Sequence, residues 1–359
     1  MSHVHPPTEQ ALSTAAQRLR DGGLVGLPTE TVYGLAANGL DALAVASIYN
    51  AKQRPSFNPL ILHTHLSLDG LQERQIIDMN RLGATAQSRA RALANTGWPG
   101  PLTLVLPRGQ AVPDLTTAGL DTVAVRVPSH PVARALLAQV NLPLAAPSAN
   151  RSGRISPTTA FAVADEFAQT DLFILDGGPC QVGLESTVVH IGSEGTITLL
   201  RPGFWSRSAL ESSLDTPVQT PSDAPMKPRS PGMGSRHYAP TTPFLRLPAP
   251  IASLASSTRE ALKQTLSAHT RVALLCWDDA AVDRARDSGL PHNVTPSCIE
   301  PSGDLQATAR KLYQALRDLD ATDATLLIAE PFPPEPIRHT GLGFALRDRI
   351  SRATTPFEE

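Results

Sequence analysis

Short apolar runs alternate with helical patterns over the first 207 residues, and this alternation constrains the fold most strongly. Runs of strand length occur at 24–27, 60–62, 102–106, 123–127, 142–145, 172–175, 187–191 and 196–200. Helical patterns occur between them at 9–20, 41–51, 131–139 and 157–168. Strands and helices mixed in one block predict an α/β domain built on a largely buried sheet.

Residues 208–250 differ from this block because they hold nine prolines and few apolar positions. Such a segment buries too little apolar surface to fold alone, which predicts a semi-rigid linker. Its second half, SPGMGSRHYAP at 230–240, carries Met, Arg, His and Tyr, which a plain spacer does not need. We therefore expect this half to have a role beyond joining two domains.

A second, smaller α/β domain is predicted after the linker. Strand-like runs occur at 272–275 and 325–329, and helical patterns occur at 259–268, 305–319 and 343–351. The expected organisation is a first domain at 8–207, a linker at 208–241 and a second domain at 242–359.

Composition excludes several classes of protein. The 359 residues are 41% hydrophobic and 18% charged, as in folded proteins, and the formal net charge is -2. This balance gives no overall attraction to nucleic acid or to anionic membranes, so any polyanion site must be a local cluster. No apolar run approaches the roughly 18 residues of a membrane span, and the first ten residues lack a signal pattern. We expect a cytoplasmic protein without membrane contact.

Polar and cationic motifs follow or end the predicted strands. They are PTETVYGL at 28–35, KQRPSFNPLILH at 52–63, TVAVRVP at 122–128, APSANRSGRISP at 146–157, GLEST at 183–187 and LRPG at 200–203. Open α/β sheets bind ligands at such strand ends. The sequence has neither a Walker A pattern nor G-x-G-x-x-G, so these motifs do not indicate a P-loop or a dinucleotide fold.

The side chains in these motifs suit a triphosphate and an amino acid. Lys52, Arg54 and Arg201 offer charges for phosphate oxygens. Neutral donors for phosphate or ribose are Asn58, Ser148, Asn150 and Ser156. Arg126 lies between valines on a predicted strand, and a buried arginine needs an anionic partner, for which a substrate carboxylate is a candidate.

Taken together, these motifs resemble the YrdC-like domain of the threonylcarbamoyl-AMP synthases. The SPGM and RHYAP segments plus a second α/β domain resemble the long, two-domain members of that family, and the resemblance runs from about residue 8 to the C-terminus. It implies an open twisted mixed sheet flanked by helices, a Pro-rich linker and a smaller Rossmann-like α/β domain.

The resemblance also implies a nucleotidyltransferase reaction. L-Threonine, bicarbonate or CO2, and ATP would give L-threonylcarbamoyladenylate and pyrophosphate, the first step of t6A modification at adenosine 37 of tRNA. The adenylate would then pass to the downstream threonylcarbamoyl-transfer machinery. Mg2+ is expected to travel with ATP, and no protein metal site is assigned, because the sequence shows no carboxylate cluster that defines a metal cage.

The resemblance also implies roles for individual residues, which we assign to the positions of this sequence that match the motifs of the family. The hallmark catalytic quartet is Lys52, Arg54, Ser148 and Asn150. The implied ATP-binding residues are Lys52, Arg54, Asn58, Thr122, Ser148, Asn150, Ser156, Arg201, His237 and Tyr238. The implied threonine-binding residues are Thr31, His63, Arg126, Ala146 and Ser186. Glu30 stands where the family frequently has Asp, which keeps the charge.

Alternatives remain open for the linker and for the function. The linker is either a lid that closes on ATP through its HYAP turn or a passive tether. The alternative function is a double-stranded-RNA-binding module, which would need a local basic patch because residues 8–207 carry equal numbers of basic and acidic residues. A hydrogenase-type maturation factor would need Cys-rich zinc fingers, and the three cysteines form no C-x-x-C pair.

Overall fold

A computed structural model describes residues 3–220, 237–331 and 341–358. The chain divides into two compact units. The first unit comprises residues 1–152 and 156–234, and the second comprises residues 153–155 and 235–359. Among the described residues, no helix is both long enough and apolar enough to cross a bilayer.

The first unit contains eight of the described helices and eleven of the described strands. The helices are α1 (Glu9–Arg20), α2 (Ala42–Lys52), α3 (Leu68–Glu73), α4 (Ala84–Gly97), α5 (Asp114–Thr117), α6 (Pro131–Val140), α7 (Ala160–Glu166) and α8 (Arg207–Leu214). The strands are β1 (His3–His5), β2 (Val25–Leu27), β3 (Gly34–Asn38), β4 (Ile61–His63), β5 (Leu102–Pro107), β6 (Thr122–Arg126), β7 (Leu144–Ala145), β8 (Phe173–Leu175), β9 (Thr187–Ile191), β10 (Ile197–Arg201) and β11 (Val218–Gln219).

These strands form one mixed sheet in the order β1-β8-β2-β3-β7-β4-β6-β5-β9-β10-β11. β4 and β6 are parallel, β5 is antiparallel to β6, and β9 is parallel to β5 but antiparallel to β10. The last residues of β4, β6 and β10 therefore meet the first residues of β5 and β9 at one edge of the sheet. This edge, which we call the site edge, holds several of the predicted motifs.

The sheet is buried on both faces, as the near-continuous apolar strands predict. Alternate residues of β3 show this most clearly. Leu35 and Ala37 belong to a hydrophobic core cluster that includes residues of α2 and α4, whereas Ala36 belongs to a second hydrophobic cluster that includes residues of α1 and α6. Side chains of successive strand residues point to opposite faces, so each face packs against its own helices.

The start of the predicted linker is regular structure in the first unit. α8 buries Leu210, and β11 pairs with β10 and buries Val218. This stretch has too few apolar residues to form a core of its own. Its helix and strand form because the sheet and α4 of the first unit offer an apolar surface against which these residues pack. Most of the SPGMGSRHYAP segment (230–236) lies outside the described residues, whereas 237–240 are described.

The second unit is a parallel α/β structure. Its described helices are α9 (Ser256–Ser267), α10 (Asp279–Asp287), α11 (Leu305–Asp320) and α12 (Gly341–Ala353), and its strands are β12 (Phe244–Arg246), β13 (Val272–Cys276), β14 (Val294–Cys298), β15 (Leu326–Ala329) and β16 (Thr355–Pro356). The strand order is β14-β13-β15-β12-β16, and every pair is parallel. This agrees with the predicted Rossmann-like class, although β12 and β15 are exchanged relative to the dinucleotide-binding order.

Candidate active site

Arg126 is the central cation of the site edge. It ends β6 and lies in register with His63, which ends β4. Its Nε donates to Gly100 O at 3.1 Å and its Nη1 donates to Thr31 Oγ1 at 2.8 Å. Its Nη2 lies 2.7 Å from Glu30 Oε1, and both side chains are 3% exposed. The structure thus supplies a buried anion for Arg126 from the protein itself.

Glu30 is the buried anion that pairs with Arg126, and the sequence analysis did not predict this contact. Burial would raise the pKa of its carboxyl group, but the charge of Arg126 and nearby hydrogen-bond donors outweigh this effect and lower the pKa. Glu30 is therefore an ionised carboxylate, and the Glu30–Arg126 pair is electrically neutral. The signal in the sequence was the acid in PTET, although the sequence does not show which cation it faces.

His63 is neutral at physiological pH. It is 4% exposed, and its Nδ1 lies 3.3 Å from Ile61 O. Burial, followed by the charge of Arg126, lowers its pKa to about 3, while Glu30 acts in the opposite direction and Arg201 acts with Arg126. A neutral imidazole offers one N–H donor and one acceptor. The charges of Arg126, Glu30 and Arg201 all act on His63, in agreement with the contacts between Arg126 and Glu30 and with the position of Arg201 at the end of β10.

Ser186 connects the predicted threonine site to a predicted phosphate cation. Arg201, at the end of β10, donates from Nη2 to Ser186 Oγ and from Nε to Ser186 O, each at 3.0 Å. The Ser186 hydroxyl also lies 2.7 Å from Thr103 Oγ1 on β5. The LRPG turn permits this arrangement because Gly203 sits against the backbone of residues 185–187, where a Cβ would lie 2.5 Å from Thr187 N.

Lys52 holds the loop that contains the S-x-N motif. It ends α2, is 1% exposed, and donates from Nζ to the main-chain oxygens of Ser148 and Asn150. Its own main-chain oxygen accepts from Ser152 N at 2.8 Å. Burial, followed by repulsion from Arg54, holds the pKa of Lys52 well below its ordinary value. Three bonds therefore join residue 52 to the loop at 148–152.

Arg54 stabilises the next part of the same motif. Its Nε lies 3.4 Å from Asn58 O, and its Nη2 donates to Pro59 O at 3.2 Å. Tyr49 on α2 donates to Asn58 O at 3.0 Å.

Ser156, in the motif at 146–157, is fully buried. Its hydroxyl donates to Glu185 Oε1 at 2.7 Å, a partner that the sequence analysis did not predict.

The structure brings together only some of the predicted residues. Thr31, His63, Arg126, Ser186 and Arg201 lie at the site edge through the contacts given above. Ala146 follows β7 and donates from its backbone nitrogen to Ile61 O at 3.1 Å, next to β4. Thr122 begins β6, four residues from Arg126, so a rise of roughly 3.3 Å per residue places its Cα about 13 Å from that of Arg126.

His237 and Tyr238 belong to the second unit. Tyr238 is 1% exposed, and the Arg349 guanidinium lies 5.2 Å from the centre of its ring. The predicted contacts of both residues with ATP stay a prediction. Among the described residues, no group of three or more His, Cys, Asp and Glu side chains is arranged to hold a metal ion.

Comparison with known proteins gives the family. Residues 17–203 match the family profile described as "Telomere recombination", and residues 205–355 match "Threonylcarbamoyl-AMP synthase, C-terminal domain". Threonylcarbamoyl-AMP synthase of Bacillus subtilis (strain 168) is 38% identical over 346 residues, which cover 95% of this chain and 92% of that protein. The chain belongs to the threonylcarbamoyl-AMP synthase family.

Other relatives of this family agree. Threonylcarbamoyl-AMP synthase of Pyrococcus abyssi (strain GE5 / Orsay) is 35% identical over 349 residues, which cover 96% of this chain and 94% of that protein. The crystal structure of P. abyssi Sua5 complexed with L-threonine matches with a TM-score of 0.80 at 32% identity and covers 100% of both chains. The predicted family and fold class are confirmed. None of these relatives is described as an RNA-binding protein, so they do not support that alternative.

Proposed function

We propose that this chain synthesises L-threonylcarbamoyladenylate from L-threonine, bicarbonate and ATP and releases pyrophosphate, as the first step of t6A modification at tRNA position 37. Membership of the threonylcarbamoyl-AMP synthase family supports this activity. The structural observation that carries the proposal is the site edge, where Arg126 and Ser186, which are predicted to bind threonine, lie near Arg201, which is predicted to bind phosphate. Substrates held by these groups would be neighbours.

Threonine is proposed to bind at Thr31, His63, Arg126, Ala146 and Ser186. A guanidinium has five N–H donors, of which three face Gly100, Thr31 and Glu30, so two remain for the substrate carboxylate. The neutral His63 offers a donor and an acceptor without adding charge. This arrangement places an amino acid at the end of β4 and β6.

The chemistry requires a protected site more than a protein nucleophile. The threonine amine attacks bicarbonate to give a carbamate and water. The carbamate oxygen then attacks the α-phosphorus of ATP and displaces pyrophosphate. A carbamate decomposes in water, so burial of the surrounding side chains favours its survival beside the nucleotide. Attack at phosphorus depends mainly on positioning and charge stabilisation, which Arg201 and Arg54 are proposed to provide.

ATP is proposed to bind through the 52–58 and 148–156 loops together with Thr122 and Arg201, with Lys52, Arg54, Ser148 and Asn150 as the catalytic quartet. Lys52 shapes this site by holding the carbonyl groups of the S-x-N loop. Mg2+ is proposed to enter bound to the ATP phosphates and to offset their charge.

The product is proposed to pass to the threonylcarbamoyl-transfer machinery in the cytoplasm. His237 and Tyr238 are proposed to contact ATP as part of a lid, and a passive tether is the competing possibility. The double variant His237→Ala with Tyr238→Ala separates the two. A lid contact predicts a raised KM for ATP, whereas a tether predicts unchanged kinetics.

The activity is tested by the release of pyrophosphate from ATP by the purified full-length protein. We expect release to require both L-threonine and bicarbonate, and Arg54→Ala to suppress it. Glu194→Gln, at an exposed turn between β9 and β10, is the matched control and should retain the rate. Equal rates with serine or without an amino acid contradict the assignment of threonine.

A further inference from the structure

The Glu30–Arg126 pair has hydrogen-bonding capacity left over. Both Glu30 oxygens and Arg126 Nη2 are shielded by the protein and have no hydrogen bond of normal geometry within the described residues, although Nη2 and Oε1 form the ion pair at 2.7 Å. The Arg126 side chain and the backbone N–H groups of Glu30 and Ser129 lie close enough to stabilise the charged carboxylate and lower its pKa, but a carboxylate accepts about four hydrogen bonds, so part of its capacity stays open. Buried polar atoms usually have partners, so unfilled capacity at an active site indicates a ligand.

An α-amino acid carries its two opposite charges on neighbouring atoms, and the Glu30–Arg126 pair presents the complementary charges side by side. We infer that Glu30 binds the α-ammonium group of the substrate while Arg126 binds its carboxylate, so that the pair recognises the zwitterion. This inference rests on the proposed function for the identity of the substrate. Glu30 is then a substrate-binding residue that determines specificity.

The surrounding charges support this assignment. His63 on β4, His130 at the start of α6, and Cys180 all face Glu30 closely enough for its charge to act on their pKa values. Burial lowers the pKa of His130 and raises that of Cys180, so His63, His130 and the thiol are all neutral. Glu30 is therefore the ionised acid of this group. Without it, Arg126 and Arg201 would leave a cationic pocket that favours a carboxylate lacking an ammonium group.

The test compares two ligands that differ only at the atom that Glu30 is inferred to bind. The ligands are L-threonine and its 2-hydroxy analogue, in which a hydroxyl replaces the amine. Their affinities for the wild-type protein, Glu30→Gln and Glu30→Asp are measured calorimetrically in the absence of ATP. Glu194→Gln serves as the control, and thermal unfolding of each variant reports its folded fraction.

We expect the wild type to prefer threonine, and Glu30→Gln to bind threonine about 10- to 100-fold more weakly, because a hydrogen bond to a buried charge is lost. The affinity of Glu30→Gln for the hydroxy analogue should be unchanged or higher. Glu30→Asp, which keeps the charge, should keep the preference for threonine.

An equal loss for both ligands in Glu30→Gln overturns the inference, because it means that Glu30 only holds Arg126 in place. If Glu30→Gln does not fold, the wild-type protein alone still tests the inference, because equal affinity of the wild type for threonine and the hydroxy analogue also overturns it. These outcomes are separate from the proposed function. A selective loss of threonine binding supports the role of Glu30 even if no pyrophosphate is released, and pyrophosphate release with an equal loss refutes only this inference.

Discussion

Replacing Lys52 by methionine isolates the contribution of its buried amino group. Methionine keeps a long unbranched stem, so the change removes the amino group and both hydrogen bonds to Ser148 O and Asn150 O with little loss of packing. The two carbonyl groups lose their hydrogen-bond donor at a position that is 1% exposed. The structure therefore predicts a destabilised variant.

The expected loss follows from the two bonds. A buried carbonyl group that loses its hydrogen-bond donor costs about 1–3 kcal/mol, and two carbonyl groups are affected. We therefore expect the free energy of unfolding to fall by about 3 kcal/mol. In a unit of roughly 200 residues, this lowers the melting temperature by about 6–12 °C.

Thermal unfolding followed by circular dichroism measures this shift, and pyrophosphate release at a temperature where the variant is folded measures the effect on catalysis. Lys263→Ala, on the exposed face of α9, is the control and should change stability by less than about 0.5 kcal/mol. If Lys52→Met melts at the wild-type temperature, the reasoning that Lys52 holds the S-x-N loop is refuted.

Two further predictions concern the site edge. Burial keeps the pKa of His63 near 3 against an ordinary 6.5, so below pH 6.5 the unfolded chain binds a proton that the folded chain does not. The free energy of unfolding should fall by about 1.4 kcal/mol per pH unit from 6.5 towards 3, and His63→Asn should remove this contribution in denaturant titrations at pH 5 and 7. Gly203→Ala forces a Cβ to within 2.5 Å of Thr187 N and should cost about 1–3 kcal/mol and reduce pyrophosphate release. The matched Gly192→Ala meets its nearest atom at 3.5 Å, and an equal effect of both changes would contradict the steric argument.

Local signals made several elements predictable. α1 has the predicted bounds because its apolar face and the Thr8 cap agree, and α2 begins within one residue of the predicted start because the Asp41 side chain caps it. β3 was not predicted, since its sequence GLAAN lacks β-branched residues and forms a strand through pairing with β2 and β7. The Ala-rich α4 gave too weak a pattern to be recognised.

The site shows the same division between local and tertiary information. The motifs correctly indicated that His63 and Arg126 lie at strand ends and that the LRPG turn follows another strand, but not that the first two strands are neighbours. The partners of these residues were not predictable. Glu30 meets Arg126 only because the fold brings the 28–31 turn onto β6, and the partners of Lys52 are backbone carbonyls, which every residue has.

A crystal structure with L-threonine and a non-hydrolysable ATP analogue would show where the two substrates bind. We expect threonine at the end of β4 and β6, with its carboxylate on Arg126 and its ammonium group on Glu30, and with the triphosphate against Arg201. Threonine and nucleotide bound at separate places, or threonine bound away from Arg126, would contradict this expectation.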